Sequence, residues 1–175
     1  MSNQKLKTNN KKIGFTLIEL LIVIALLGIL AVGLLAAIDP LEQFKKGQDT
    51  GTRNAVQELY NGMIRYYAIQ TEYPLIGSPG TFDVTTLDSA SASDMIDLIV
   101  DAGELKSNFL PNIRNKEDVY VYYYDDGDNV EHSVCFKPTS KSIRTDPNTK
   151  YDNMGSEMAT DVCTGNTNSC YWCLR

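Results

Sequence analysis

Residues 20–38 form a run of nineteen positions without a charge. At about 1.5 Å per helical residue it reaches roughly 28 Å, the thickness of a bilayer's hydrocarbon core. The run therefore predicts a membrane-spanning helix. Before it lie Lys5, Lys7, Lys11 and Lys12 with no acidic residue among them, and such a positive flank holds its end of a span in the cytoplasm. The remainder of the chain then faces outward. Glu19 is the exception at the apolar start: a carboxylate inside a membrane helix costs on the order of 3 kcal/mol. Something must compensate for it.

A secretory signal peptide shares the basic start, but its apolar core is shorter and its small-residue cleavage site follows that core. Here the glycine precedes the run. The stretch Lys12-Ile13-Gly14-Phe15-Thr16-Leu17-Ile18-Glu19 resembles the processing site of type IV prepilins and type II secretion pseudopilins. The resemblance implies cutting after Gly14 by a prepilin peptidase, N-methylation of the new terminus Phe15, and Glu19 as the fifth residue of the mature chain. An ordinary single-pass anchor with a stray glutamate, or a signal peptide removed whole, would not require a glycine, a phenylalanine and an acid at this spacing before a spanning helix.

The expected organisation is α+β: a polar cleaved leader at 1–14, the spanning and assembly half of a long helix at 15–38, its amphipathic half at 39–70, and an extracytoplasmic head at 71–175. That leaves room for one modest outer domain and no second enzyme-sized one. Gly28 and Gly33 inside the span weaken it but permit close approach of a neighbouring helix. Pro40 is expected to break or kink the helix, and it lies a few residues further along than the proline of major pilins. Glycines 47 and 51 make residues 40–51 a soft region. From Arg53 the helical period returns, with Val56, Leu59, Met63 and Tyr67 as the core-facing stripe. Thr71-Glu72-Tyr73-Pro74 ends the helix, because the residue before a proline is pushed out of the α region; this helix-then-Tyr-Pro pattern looks more like major pseudopilins and short pilins than long-looped adhesive pilins.

In the head, Gly77-Ser78-Pro79-Gly80 reads as a loop. Residues 93–102 read as a short helix capped by Ser93 and stopped by Gly103. A hairpin follows, 119–124 and 130–136 around the turn-rich 125–129, with Val130, Val134 and Phe136 on one face and Cys135 on the other. The polar tail from Lys137 is expected to wrap back over the sheet.

Four cysteines, Cys135, Cys163, Cys170 and Cys173, all lie in the outer part. That placement suits an oxidising compartment and favours two disulfides tying the tail to the sheet, in any of three pairings. A four-thiolate zinc site or a redox pair would use the same residues, but only Cys170 and Cys173 have ligand-like spacing. The resemblance to pilins implies a disulfide-bounded C-terminal region. Asp125, Asp126, Asp128, Asn129 and Glu131 offer enough oxygens to raise calcium, and major pseudopilins carry a calcium site in an outer loop. The run lacks the alternate-residue spacing of an EF-hand, however, and turn chemistry explains it. No other cofactor is indicated. His132, the single histidine, has no nucleophile partner, since the adjacent Ser133 points to the opposite strand face. No enzyme is expected.

Losing the four leader lysines takes the formal charge from −6 to −10, which argues against nucleic acid as a default partner. The resemblance implies a structural subunit of a pilus or pseudopilus. Its partners would be copies of itself or other pilins in a helical filament, prepilin peptidase, the inner-membrane assembly machinery, and membrane lipid before assembly. The location would be the cytoplasmic membrane, single-pass with the C-terminal domain outside, and later a cell-surface pilus or periplasmic pseudopilus. The alternative is a membrane-tethered, non-polymerising binding module, such as a minor adhesive or DNA-uptake pilin. A mere tether has no need of Glu19.

Overall fold

A run of apolar side chains, charged only at Glu19 in its first turn, forms helix α1, Leu17–Ala37, in a computed structural model that describes residues 14–37, 39–74, 83–125, 130–163 and 169–175. The lysine leader, the loop at 77–80 and the turn at 126–129 lie outside the described residues. The chain divides into two units, Met1–Pro40 and Leu41–Arg175. In the first, α1 has no buried residue.

Asp39 is not helical, and helix α2 runs Pro40–Gln70. The helical signal thus extends to Gln70 as the sequence indicates, but the interruption comes before the proline and residues 40–51 are helical. The reason is position: at the first residue of a helix, proline's missing N–H has no intrahelical partner to lose and its fixed φ suits the helix. The end of α2 also has a different cause from the one expected. Thr71 adopts φ 60° and donates its N–H to the Tyr67 carbonyl at 2.8 Å, so the left-handed turn falls two residues before the pre-proline position, Tyr73.

The second unit is α+β. Strands β1 (Asp83–Thr86), β2 (Val119–Asp125), β3 (Val130–Phe136), β4 (Thr149–Tyr151) and β5 (Tyr171–Leu174) make one antiparallel sheet in the order β1-β2-β3-β5-β4. The β2–β3 hairpin has the expected pairing, Val119 opposite Phe136 through Asp125 opposite Val130. The tail does more than wrap over the sheet, because β4 and β5 extend it beyond β3. Short helices α4 (Phe109–Asn112), α5 (Lys141–Arg144) and α6 (Thr160–Cys163) fill the connections.

Helix α3, Ala90–Asp101, starts earlier than expected. Its cap is Ser89, whose hydroxyl accepts from the Ala92 amide at 3.1 Å, while Ser93 lies inside the helix. Gly103, at φ 81°, ends it as expected: the Gly103 amide donates to Val100 and the Glu104 amide to Ile99, the paired bonds that close a helix on a left-handed residue.

The core lies between one sheet face and the two helices. Val56, Leu59 and Met63 of α2 and Ala92, Met95, Ile96 and Ile99 of α3 meet Val119, Val121, Val134, Phe136 and Trp172. Tyr67, expected in this stripe, is 43% exposed and stacks on Tyr73; Val130, at the hairpin end, is 41% exposed. Arg53 anchors α2 from the side, its guanidinium 4.7 Å from the Trp172 ring centre and 3.8 Å from Asp146. The opposite sheet face is covered as well. The Ser133 hydroxyl donates to the Met154 carbonyl at 2.8 Å, and Gly155, at φ 85°, lies so close that an added Cβ would stand 2.5 Å from Ser133 Oγ.

Two disulfides close the head. Cys135–Cys173 joins directly opposed residues of β3 and β5, and Cys163–Cys170 closes a short loop. All four cysteines are paired, and neither bridge joins Cys170 to Cys173.

His132 rests against Tyr60 at 5.1 Å and Tyr73 at 4.8 Å between ring centroids, and its buried Nε2 has no hydrogen-bond partner among the described residues. Burial lowers its pKa from 6.5. The unfolded chain then binds the proton more readily than the native head, so stability is full above about pH 6.5 and falls as pH drops through the window below it. The head is accordingly expected to lose stability between pH 7.5 and pH 5, and His132→Gln to flatten that part of the slope in urea titrations; a parallel slope in the variant would contradict this. In the same assay, read from the fluorescence of the single tryptophan Trp172, removing Cys135–Cys173 (sequence separation 38) should cost about 4 kcal/mol and removing Cys163–Cys170 (separation 7) about 2 kcal/mol. Equal costs would show that loop closure does not set the contribution.

Candidate functional site: the N-terminal end of helix α1

The first turn of α1 is built by two side chains three residues apart. Thr16 is the last non-helical residue, and its hydroxyl oxygen accepts the Glu19 amide at 3.3 Å. Glu19 returns the contact: its Oε2 accepts the Thr16 amide at 2.9 Å and the Thr16 hydroxyl at 2.7 Å. This reciprocal arrangement is a capping box, in which a threonine at the cap and a glutamate three positions on each satisfy a backbone donor that the helix start leaves orphaned. A carboxylate at this end also opposes the positive pole of the helix dipole. Glu19 thus has a local partner within its own chain, which the sequence reading lacked, although the Thr-x-x-Glu signature was present in it.

Gly14 and Phe15 precede the cap in a non-helical stretch. A Cβ added to Gly14 meets nothing within 4 Å, so nothing within the described part of the chain demands glycine there. Phe15 is 77% exposed. Downstream, Gly28 and Gly33 likewise have open space beside them, and every large apolar side chain of α1 stands uncovered, from Leu17 at 81% to Leu35 at 71%. The helix is long and apolar enough to cross a membrane.

The remaining candidates separate. Ser133 is buried under Met154 while His132 packs on tyrosines at the other sheet face, so the strand alternation keeps them apart as expected. Of the acidic run, Asp126 and Asp128 lie outside the described residues; Asp125 ends β2 and Glu131 is exposed on β3. Among the described residues no group of three or more His, Cys, Asp or Glu side chains gathers to hold a metal.

Asp49 is a site the sequence reading did not find. It lies on α2 with a 3% exposed side chain and accepts from the amides and hydroxyls of both Thr139 and Ser140. Its partners lie some ninety residues away, so no local pattern marks it.

Residues 9–35 match the model of the prokaryotic N-terminal methylation motif. Comparison with curated proteins and with solved structures gives no match. Gly14, Phe15, Thr16 and Glu19 all lie inside the matched span, so the chain carries a prokaryotic N-terminal methylation motif at residues 9–35.

Proposed function

We propose that this chain is a structural subunit of a type IV pilus or type II secretion pseudopilus, cut after Gly14 by prepilin peptidase, methylated on Phe15, and polymerised through α1. The observation that carries the reading is α1 itself, an apolar helix with no buried side chain, all but its last two residues lying inside the methylation motif matched at residues 9–35. Such a surface must be covered by lipid or by other helices, since each buried Leu or Ile side chain is worth about 1.5–3 kcal/mol. In the cytoplasmic membrane lipid covers it, with the head outside. In a filament, copies of the same helix take over, and Gly28 and Gly33 let backbones approach. Such a motif indicates a structural subunit rather than an enzyme.

The processing step follows from the open space at Gly14. Because the described residues impose no steric need for glycine, we assign the need to an enzyme that approaches the backbone closely. Cutting there creates an α-amine on Phe15, four residues from Glu19. In the filament a neighbouring subunit's amine neutralises Glu19 and fixes axial register, since opposite charges in a low-dielectric interior attract strongly and a slipped register separates them.

N-terminal sequencing and intact mass of the protein in the sheared surface fraction should show a chain starting at methylated Phe15, and Gly14→Val should leave the leader attached. An intact leader on assembled protein would overturn the processing claim. Glu19→Val should leave insertion and cleavage largely intact while sharply reducing filament assembly. If that variant assembled at wild-type level, the polymer reading would lose its physical support and the tethered binding module would take its place.

A further inference from the structure

We propose that residues 40–52, the first half of α2, form a releasable strap latched to the head by Asp49. Of the five buried residues of α2, four, Val56, Leu59, Gly62 and Met63, lie beyond the strap, and Asp49 is the one within it. Its carboxylate is fully engaged: Oδ1 and Oδ2 accept the Thr139 amide at 3.1 and 3.0 Å, the Ser140 amide donates to Oδ2 at 2.7 Å, and the two hydroxyls approach at 2.8 and 2.7 Å. Seven residues earlier, Glu42 accepts the amides of Lys141 and Ser142. Two acids on one helix face thus hold four consecutive amides at the start of α5. These are polar contacts; the strap adds no apolar side chain to the buried core.

Three further observations agree. Gly47 and Gly51 sit in this half, and an added Cβ at either meets nothing within 4 Å; packing does not require them, yet each weakens the helix relative to alanine. Thr50 and Thr52 turn their hydroxyls back to the carbonyls of Lys46 and Gln48, a contact that slightly loosens a helix. On another flank, a cavity of about 450 Å³ separates Phe44, Gly47, Gly51 and Ala55 from Ile113 and Arg114. The strap is a weak helix held on one side and unsupported on another. Releasing Asp49 would free it without disturbing the core that begins at Val56.

Hydrogen exchange on the full chain in detergent micelles tests this without reference to assembly. Asp49→Ala should speed exchange of amides 41–52 by tenfold or more and leave 56–70 of α2 and the β2–β3 hairpin unchanged. Unchanged exchange in the strap, or acceleration throughout the head, would overturn the proposal. Because Asp49→Ala could impair folding, the double variant Gly47→Ala/Gly51→Ala gives a second reading at positions open to solvent. It should slow exchange of 41–52 by about tenfold or more, and no slowing would count equally against the strap.

Discussion

Every state of this protein has to cover α1. None of the side chains of Leu17–Ala37 is buried, and at about 25 cal/mol per Å² of apolar surface the helix cannot stand free in water. The head has no such need. Its own core closes between α2, α3 and one face of the sheet, and a head of this size reaches ordinary domain dimensions without help. The chain therefore joins a self-sufficient part to one that depends on its surroundings.

The sheet shows how the head achieves this with few residues. Strand β3 is buried from Ser133 through Phe136, where a one-sided sheet would alternate. Val134 and Phe136 face the helices, and Ser133 and Cys135 face the return of the chain through Met154 and Gly155. Burying a polar Ser133 on that side is tolerable because its hydroxyl has a carbonyl to donate to. The Cys135–Cys173 bond ties the same strand to β5, which is thereby fixed inside the sheet between β3 and the edge strand β4.

What was legible in the sequence was local. The span of α1, the return of the 3.6 period after Arg53, the β2–β3 hairpin and the stop at Gly103 each rest on residues within a few positions of one another. Periodicity or a single dihedral preference was enough to find them. The errors share a cause too. Ser93 carries the right chemistry for a cap, but Ala90, Ser91 and Ala92 extend the helix back one turn to Ser89, where Ala92 is fully buried. Tyr67 keeps the helical spacing of the core stripe, yet the stripe runs out onto the tyrosine cluster before reaching it. Strands β1, β4 and β5 have three or four residues each, too short for a period of two to register. Asp49 was invisible because its partners are distant in sequence.

At the N-terminal end the capping box bears directly on the charge account of assembly. If the box used both oxygens of Glu19, none would be left for a neighbour and the two roles would be exclusive. The geometry says otherwise. Both the amide and the hydroxyl of Thr16 donate to Oε2, and Oε1 has no hydrogen-bond partner among the described residues. An ionised carboxylate accepts at both oxygens. In the membrane the box lowers the cost of carrying Glu19 at an apolar helix start, since two donors replace part of the lost hydration. In the proposed filament, the second oxygen can still meet an α-amine from another copy. In that proposed filament one side chain would both start the helix within its own chain and register it against the next, because Thr16 occupies only Oε2.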